Sequence, residues 1–308
     1  MRAMSPTVGL LVSFTGMVCL LCSPAGLADA AEGAKVKVLA SIAAGEALGS
    51  FNHPSGLFYD EIKKRLYVAD SANKRIVSLD SGFKYLAELT KKEIILPVGI
   101  VRDKKGFFSV VDADRSEVFR LDAAKELVEP ILLTGIPYGR YLFSPGRIAI
   151  DKEDHLYIID KLNKRVVSVD YTGVFIRSFT ITGTDFFGFT DVRVDDEGYV
   201  YALDTIGRMV YVFDKKGDLV SSFGGREKGL FLFPVSIASG KNGLVYVIDR
   251  HAGKIMVFNR LGIFQYTISK KGSKEGELVA PSYIYIDESN RLYIIDGNRI
   301  QVFKEEKE

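Results

Sequence analysis

The stretch PSGLFYDEIKKRLYVADSANKRIVSLD, residues 54–80, contains the pattern from which the rest of the chain is built. It holds three short runs rich in β-forming residues, 57–59, 66–69 and 75–79, which polar turns separate. The second run stops at Asp70. Short runs of this kind between turn residues are typical of an antiparallel meander. The stretch therefore predicts three neighbouring strands.

The same unit recurs six times. Each copy has an aspartate at the end of its second run, and the successive spacings between these aspartates are 42, 48, 44, 45 and 47 residues. The aspartates are Asp70, Asp112, Asp160, Asp204, Asp249 and Asp296. A proline leads five of the copies, at Pro54, Pro97, Pro145, Pro234 and Pro281, and Thr190 stands in its place in the fourth. A regular period of about 40–45 residues indicates a propeller or a solenoid.

A fourth run follows the third in the earlier copies, for example at 176–181 and 219–223, and leads into a glycine-containing link. Four strands per copy indicate a propeller blade. In the sixth copy the chain ends just after the third run, whereas Val36 to Ile42 forms a spare run ahead of Pro54. We therefore predict an all-β, six-bladed β-propeller of four-stranded antiparallel blades. The N-terminal strand completes the last blade, which removes an open sheet edge.

The repeated residues resemble the NHL repeat family, and the resemblance covers essentially the whole chain after residue 30. The first copy carries the proline-led strand, the ending Val68-Ala69-Asp70 and the motif Asn73-Lys74-Arg75-Ile76. The last motif recurs at residues 163–166, but Glu117 takes the basic position in the second copy, and the turn before Arg299 is shortened. The resemblance implies a six-bladed propeller of an exported, bacterial type and, usually, a binding role.

The first 30 residues have the features of a secretory signal peptide. Arg2 precedes an apolar run from Val8 to Leu21, and Ala28-Asp29-Ala30 places small residues at both recognition positions. We predict cleavage after Ala30, export to the periplasm or the extracellular space, and one propeller domain over residues 31–308. A retained anchor is the alternative, but the apolar run falls short of the roughly 20 residues that a span needs. No stable membrane span is expected after cleavage.

The cysteines and the charge exclude several classes of function. Both cysteines, Cys19 and Cys22, lie in the predicted signal, so the mature chain is expected to have no disulfide, thiolate metal site or cysteine nucleophile. The formal net charge of +2 implies no bulk attraction to nucleic acid or membranes. No nucleic-acid partner is expected.

The repeated aspartates and the three histidines are the candidate metal ligands. A ring of carboxylates could bind a hard cation. However, an aspartate present in every copy is better explained as an acceptor of hydrogen bonds from the turn that follows it. Some NHL-type lyases bind zinc through histidines directly after the leading proline, but His53, His155 and His251 stand elsewhere. The residues after the leading position are Ser55, Val98, Gly146, Asp191, Val235 and Ser282. No catalytic residue, cofactor or metal ligand is assigned, although calcium or zinc in the channel stays open.

Two functions remain. The favoured one is an exported, non-catalytic binding or scaffold module that contacts a protein or an acidic glycan through one basic propeller face. The alternative is a metal-dependent propeller enzyme of the lyase or lactonase type with its site in the central channel. In a propeller, the inter-blade links and the second-to-third-strand turns share a face, and these segments are rich in Lys and Arg. Aromatic residues and Arg are enriched at binding hot spots. The candidate contacts for a partner are Tyr138, Arg140, Tyr141, Arg147 and Phe186.

Overall fold

The computed structural model describes residues 36–306, and these residues form strands and turns with two short 3-10 segments, Ser71–Asn73 and Lys241–Gly243. The predicted signal peptide and its cleavage site lie outside the described residues. None of the helical segments found in residues 36–306 is long and apolar enough to cross a membrane.

Six four-stranded antiparallel sheets make up the fold, and each is one blade. The chain begins with β1 (Val36–Ile42) and a small hairpin, β2 (Ala44–Gly45) and β3 (Gly49–Ser50). Blade 1 is β4 (Pro54–Asp60), β5 (Arg65–Asp70), β6 (Arg75–Leu79) and β7 (Tyr85–Leu89). Blade 2 is β8 (Pro97–Arg102), β9 (Phe108–Asp112), β10 (Glu117–Asp122) and β11 (Leu127–Pro130). Blade 3 is β12 (Pro145–Ile150), β13 (Leu156–Asp160), β14 (Arg165–Val169) and β15 (Phe175–Phe179).

The second half of the ring repeats this arrangement. Blade 4 is β16 (Asp191–Val194), β17 (Val200–Asp204), β18 (Met209–Phe213) and β19 (Leu219–Gly224). Blade 5 is β20 (Pro234–Ser239), β21 (Val245–Asp249), β22 (Lys254–Phe258) and β23 (Phe264–Ile268). Blade 6 is β24 (Pro281–Ile286), β25 (Arg291–Asp296), β26 (Arg299–Glu305) and, as its fourth strand, β1.

The predicted closure of the ring is confirmed. Strand β1 pairs antiparallel with β26, from Val36 opposite Glu305 to Ile42 opposite Ile300. The ladder has an irregularity around Leu39. As a result, β1 packs on both sides of blade 6: Val36 and Val38 against the core shared with blade 5, and Ala40 and Ile42 against the core shared with blade 1.

The antiparallel order gives the ring two distinct faces. The inter-blade links and the turns between second and third strands lie on one side, which we call the link face. The turns between first and second strands, and between third and fourth strands, lie on the other, which we call the turn face. Apolar side chains fill the space between neighbouring blades, as the Phe179, Phe186, Phe189 and Phe213 cluster does between blades 3 and 4.

The six repeated aspartates are buried acceptors that tie each blade to the link entering it. In blade 1, Asp70 accepts hydrogen bonds from the backbone N–H of Asn52 at 2.7 Å, from Asn73 Nδ2 at 2.8 Å and from Arg75 Nε at 2.8 Å. Asp160 has the same partners in blade 3, namely Ser144, Asn163 and Arg165. The interpretation of these aspartates as structural acceptors is confirmed, and they hold the incoming link as well as the following turn.

We predict that removing β1 destabilises the ring. A chain that begins at Ala43 should lose the free energy of one ladder and its packing, on the order of several kcal/mol, and should leave β26 as an unpaired edge. For a chain of this size that loss corresponds to a fall in Tm of roughly 10 °C. Differential scanning calorimetry would measure it.

The matched control is a chain that begins at Val36 and keeps the whole ladder. Equal Tm values for the two chains would contradict the role of β1 in closing the ring. Concentration-dependent association of the shorter chain alone would support it, since an exposed edge pairs with other chains.

Candidate functional site

The first strands of the blades stand side by side around the central channel, each in contact with the first strands of its two neighbours. Five of the six blades have a register irregularity directly after their leading proline, and blade 4, which lacks that proline, shows none. Each first strand has one residue opposite the second-strand residue that precedes the blade aspartate. These six first-strand residues form the channel layer nearest the link face. Its members are Gly56, Gly99, Arg147, Asp191, Ser236 and Tyr283.

A buried carboxylate lies at the centre of this layer. The Asp191 side chain is completely buried, and its two oxygens have five partners, one of which is the backbone N–H of Val192 at 3.0 Å. Arg193 Nη1 lies 2.9 Å from one oxygen, and Arg147 Nη1 lies 2.9 Å from the other. Ser236 donates its hydroxyl at 2.6 Å, and the backbone N–H of Ile237 donates at 3.0 Å. Asp191 therefore joins blades 3, 4 and 5.

The two arginines extend these contacts across the channel to blade 6. Arg147 Nη2 donates to the Ser282 carbonyl at 2.9 Å, and Arg193 Nη2 donates to the Ile284 carbonyl at 3.1 Å. Both guanidinium groups pack on the ring of Tyr283, at 4.9 and 4.7 Å from its centroid. We call the set Arg147, Asp191, Arg193, Ser236 and Tyr283 the channel plug.

Asp191 and Arg193 of the channel plug shift each other's pKa values in the direction that keeps both of them ionised. Burial by itself would raise the pKa of Asp191, but Arg193, Arg147 and the hydrogen bonds from Ser236 and Ile237 outweigh burial and hold that pKa below its ordinary value. Burial would likewise lower the pKa of Arg193, whereas Asp191 raises it. Two guanidinium groups face one carboxylate, so the plug carries one more positive than negative charge.

On the turn face, a cavity of 440 Å³ opens into the channel. The ring of Tyr283 and the guanidinium of Arg193, which is bound to Asp191, lie at its inner end. The next channel layer, to which Arg193 belongs by register, forms its wall. This layer includes Phe58, Ala149 and Tyr285, and the rings of Phe58 and Tyr285 are 5.8 Å apart.

Acidic side chains from the first-to-second turns surround the mouth of this cavity. Most of them are held by neighbours. Asp195 pairs with Arg260 at 3.0 Å, Asp287 pairs with Arg291 at 2.6 Å, and Asp60 pairs with Arg102. The cavity is therefore an apolar chamber with a cationic floor and a largely acidic rim.

A second candidate site is the link over residues 131–144. Its first part lies beside the third-to-fourth turn of blade 3, where Thr134 pairs with Val174, and its part from Pro137 onward lies on the link face beside Asn163 and Arg165. Tyr138, Tyr141 and Leu142 are exposed there, and Arg140 packs on the Tyr141 ring at 5.4 Å. The aromatic side chains project from a backbone that blade 3 holds in place. Asn163 accepts from the Tyr141 N–H and donates to the Tyr141 carbonyl, both at 2.9 Å.

Two further features fix this link. Arg165 Nη2 donates to the Pro137 carbonyl at 3.1 Å. Gly139 passes so close to Asn163 that a Cβ at this position would overlap the amide group. The second-to-third turn of blade 3 thus orients the exposed aromatics, and it does so with the Asn-x-Arg residues of the repeat motif.

The structure places the five predicted contact residues in three different environments. Tyr138, Arg140 and Tyr141 lie on the exposed link, as expected. Phe186 is only 7% exposed and packs against Phe189 and Tyr211 in the core between blades 3 and 4. Arg147 is committed to the channel plug. The inclusion of these last two residues in an accessible surface is corrected, because packing and ion pairing occupy their side chains.

The three histidines are far from one another, and several basic residues form ion pairs within their own blades. His53 and His251 lie in exposed link-face loops, His251 stacked on Phe233, whereas His155 lies on the turn face beside Asp151. Among residues 36–306, no group of three or more His, Cys, Asp or Glu side chains is arranged to hold a metal ion. Arg75, Arg165 and Arg299 form ion pairs with their own blade aspartates.

Comparisons with known proteins support the architecture. The family profile DUF5128, described as a 6-bladed beta-propeller, matches residues 235–304. No curated protein matches the chain. The six-bladed propeller is therefore supported by sequence as well as by the structure, and the relationship to NHL repeats stays a prediction.

Solved structures with the same fold differ in what they do. Virginiamycin B lyase from Staphylococcus aureus is 13% identical, with a TM-score of 0.63 over 88% of this chain and 99% of that one. A gluconolactonase from Xanthomonas campestris is 15% identical, with a TM-score of 0.62 over 89% and 90%. An auxiliary nutrient binding protein from Bacteroides ovatus is 16% identical, with a TM-score of 0.65 over 88% and 74%. At these identities the likeness shows the fold alone, which both enzymes and a binding protein adopt.

We predict that Asp191→Asn destabilises the protein, because it leaves the buried Arg193 and the half-buried Arg147 without their anion. Breaking a buried ion pair from one side costs about 3–5 kcal/mol. Urea unfolding at pH 7, followed by circular dichroism, would measure the loss. Asp218→Asn, at an exposed turn carboxylate, is the matched control and should leave the free energy of unfolding nearly unchanged.

The same pair of variants predicts a pH dependence. The pKa of Asp191 is lower in the folded state than in the unfolded state. Its contribution to stability is therefore present above the unfolded pKa of about 4 and is lost as the pH falls through the folded pKa. Wild type and Asp218→Asn should lose this contribution on acidification, and Asp191→Asn should not. Parallel pH profiles for all three proteins would contradict the role of Asp191.

Proposed function

We propose that this protein is an exported binding module whose link face holds a protein partner through the link at residues 131–144. The observation that carries the proposal is the presentation of Tyr138, Arg140 and Tyr141. These side chains are exposed, yet the backbone that bears them is fixed by Asn163 and Arg165. A contact surface that is already ordered loses less entropy on binding.

The chemistry of this patch favours an acidic, partly apolar protein segment. Arg140, Lys161 and Lys164 are exposed around the link, and none of the three has an ion-pair partner in the part of the chain that the structure describes. Tyr138, Tyr141, Leu142 and Leu162 add exposed apolar surface. A segment with carboxylates beside an aromatic or aliphatic anchor would satisfy both features.

The use of the repeated carboxylates also supports a binding role. Each blade aspartate accepts backbone hydrogen bonds that hold a link or a turn, as Asp112 does from Ile95 and Leu96, and Asp249 from Leu232 and Phe233. The aspartates of the repeat motif thus hold the links in place, and the links differ in sequence from blade to blade. A metal-dependent propeller enzyme remains the alternative hypothesis, and it has only the fold in its support.

We predict that Tyr138→Ala, Arg140→Ala and Tyr141→Ala together weaken partner binding at least tenfold, or about 1.4 kcal/mol. The probe is a set of peptides selected on the purified protein from a random phage-displayed library. Their affinities would be measured by fluorescence anisotropy. The selected peptides should be rich in Asp and Glu next to apolar residues, and the Tm of the triple variant should barely change.

The matched control replaces exposed residues on the turn face, by Tyr171→Ala, Lys216→Ala and Leu261→Ala, and should leave peptide affinity unchanged. Asn163→Ala keeps all three contact side chains but releases the backbone that presents them, so it should weaken binding as well. Selected peptides that bind the triple variant and wild type equally would overturn the proposal. Binding of polygalacturonate, with no acidic peptides selected, would identify the partner as a glycan instead.

A further inference from the structure

The cavity on the turn face has a polar floor with an unused donor. Arg193 lines it, and its side chain is only 10% exposed. The guanidinium donates to Asp191, Val192 and Ile284, yet its Nε–H has no acceptor in the described residues. A buried donor without a partner costs free energy, and such groups in native proteins call for an explanation.

The floor also has an excess of positive charge. Arg147 and Arg193 share the single carboxylate of Asp191, and Tyr283 offers both of them only the face of its ring. A carboxylate brought to this floor would balance the remaining charge.

The cavity wall around Arg193 is apolar. Phe58, Val101, Ala149, Ala238 and Tyr285 come from the same channel layer as Arg193. The two aromatic residues lie on neighbouring blades 6 and 1, whereas the two alanines leave room on blades 3 and 5. A volume of 440 Å³ lies within the range of small-molecule sites, which bury apolar groups between such walls.

At the mouth the charge is reversed. Nine acidic residues and five basic residues line the cavity, and one of the basic residues is Arg193 at the floor. Asp196 and Glu288 are exposed at the rim, and neither is in an ion pair among the residues that the structure covers. Lys104, Lys152 and Lys241 also reach the rim, and Lys104 donates to the Lys152 carbonyl.

We propose that the turn-face cavity binds a small zwitterion with an apolar body, such as a short peptide with free ends. Its carboxylate lies at Arg193, its apolar side chain lies against Phe58 and Tyr285, and its ammonium group lies at the rim near Asp196 and Glu288. This site is on the face opposite the link at residues 131–144. It stands independently of the proposed protein partner.

The test uses the dipeptide leucyl-phenylalanine as the probe and isothermal titration calorimetry with the full mature chain. The free dipeptide should bind, and capping its carboxylate as an amide should weaken binding at least tenfold. Acetylating its amine should weaken binding less, because the rim is solvated and its charges are screened.

Two variants locate the site on the protein. Ala149→Leu adds bulk to the cavity wall without touching the charges and should abolish binding. Ala124→Leu, in an exposed turn of blade 2, is its matched control and should bind as wild type does. Arg193→Gln should remove the preference for the free carboxylate over the amide, and circular dichroism would confirm that each variant is folded.

Because Arg193→Gln alters the plug and could prevent folding, Ala149→Leu and the capped peptides decide the outcome by themselves. No detectable binding of the free dipeptide at millimolar concentration would overturn the proposal. Equal affinities for the free and amidated forms, or unchanged binding by Ala149→Leu, would do the same. An effect of the link variants Tyr138→Ala, Arg140→Ala and Tyr141→Ala on dipeptide affinity would also count against a separate site.

Discussion

Every blade of this protein depends on one constraint, the pairing of the first described strand with the last. Six sheets arranged in a ring can bury their apolar sides only if each has a neighbour on both sides. The β1–β26 ladder supplies this condition by joining the N-terminal and C-terminal segments in one sheet. The irregularity at Leu39 allows one short strand to pack on both of the cores that flank blade 6. The channel, its plug and the two faces exist because this ring is closed.

The fold was predictable because the sequence repeats the same local pattern of residues six times. Each copy, with its proline-led run, aspartate and following turn, indicates the same strand arrangement. Six copies are stronger evidence for that arrangement than a single motif would be. The closing strand followed from counting, since the last copy lacked one run and the first copy was preceded by one. The bounds of β1, Val36–Ile42, agree with the predicted range because its alternating residues have no other sheet to join.

The channel could not be predicted in the same way. The residues tested for a channel site were those directly after the leading proline, such as Ser55 and Val235. In five blades an irregularity at that point shifts the ladder, so the channel layer begins one residue later. A shift of one residue moves a side chain to the other side of a strand. Asp191 was noted only because it is not a histidine at the position after the leading residue. Neither Arg193 nor Tyr283 was identified as a channel residue.

A signal for the plug was nevertheless present in the sequence. At the shifted position the six blades carry two glycines, an arginine, an aspartate, a serine and a tyrosine, a variation that packing alone does not require. The glycines of blades 1 and 2 and the polar residues of blades 3 to 6 are related through the space that the glycines leave. Gly99 lets its strand approach so closely that an added Cβ would lie 2.9 Å from the Ile148 side chain. Residues without side chains on blades 1 and 2 leave the polar groups of blades 3 to 6 to fill the channel layer among themselves.

This asymmetry explains why the two faces of the ring differ. The plug occupies the channel layer nearest the link face, so the links on that face surround a filled part of the channel. On the turn face, small residues at Ala149 and Ala238 stand where Arg193 and Tyr285 stand in other blades, and a cavity remains above the plug. The buried charge that stabilises the centre of the ring thereby also forms the floor of the turn-face cavity. A ring built from near-identical blades acquires two chemically different surfaces through a few unlike residues in one layer.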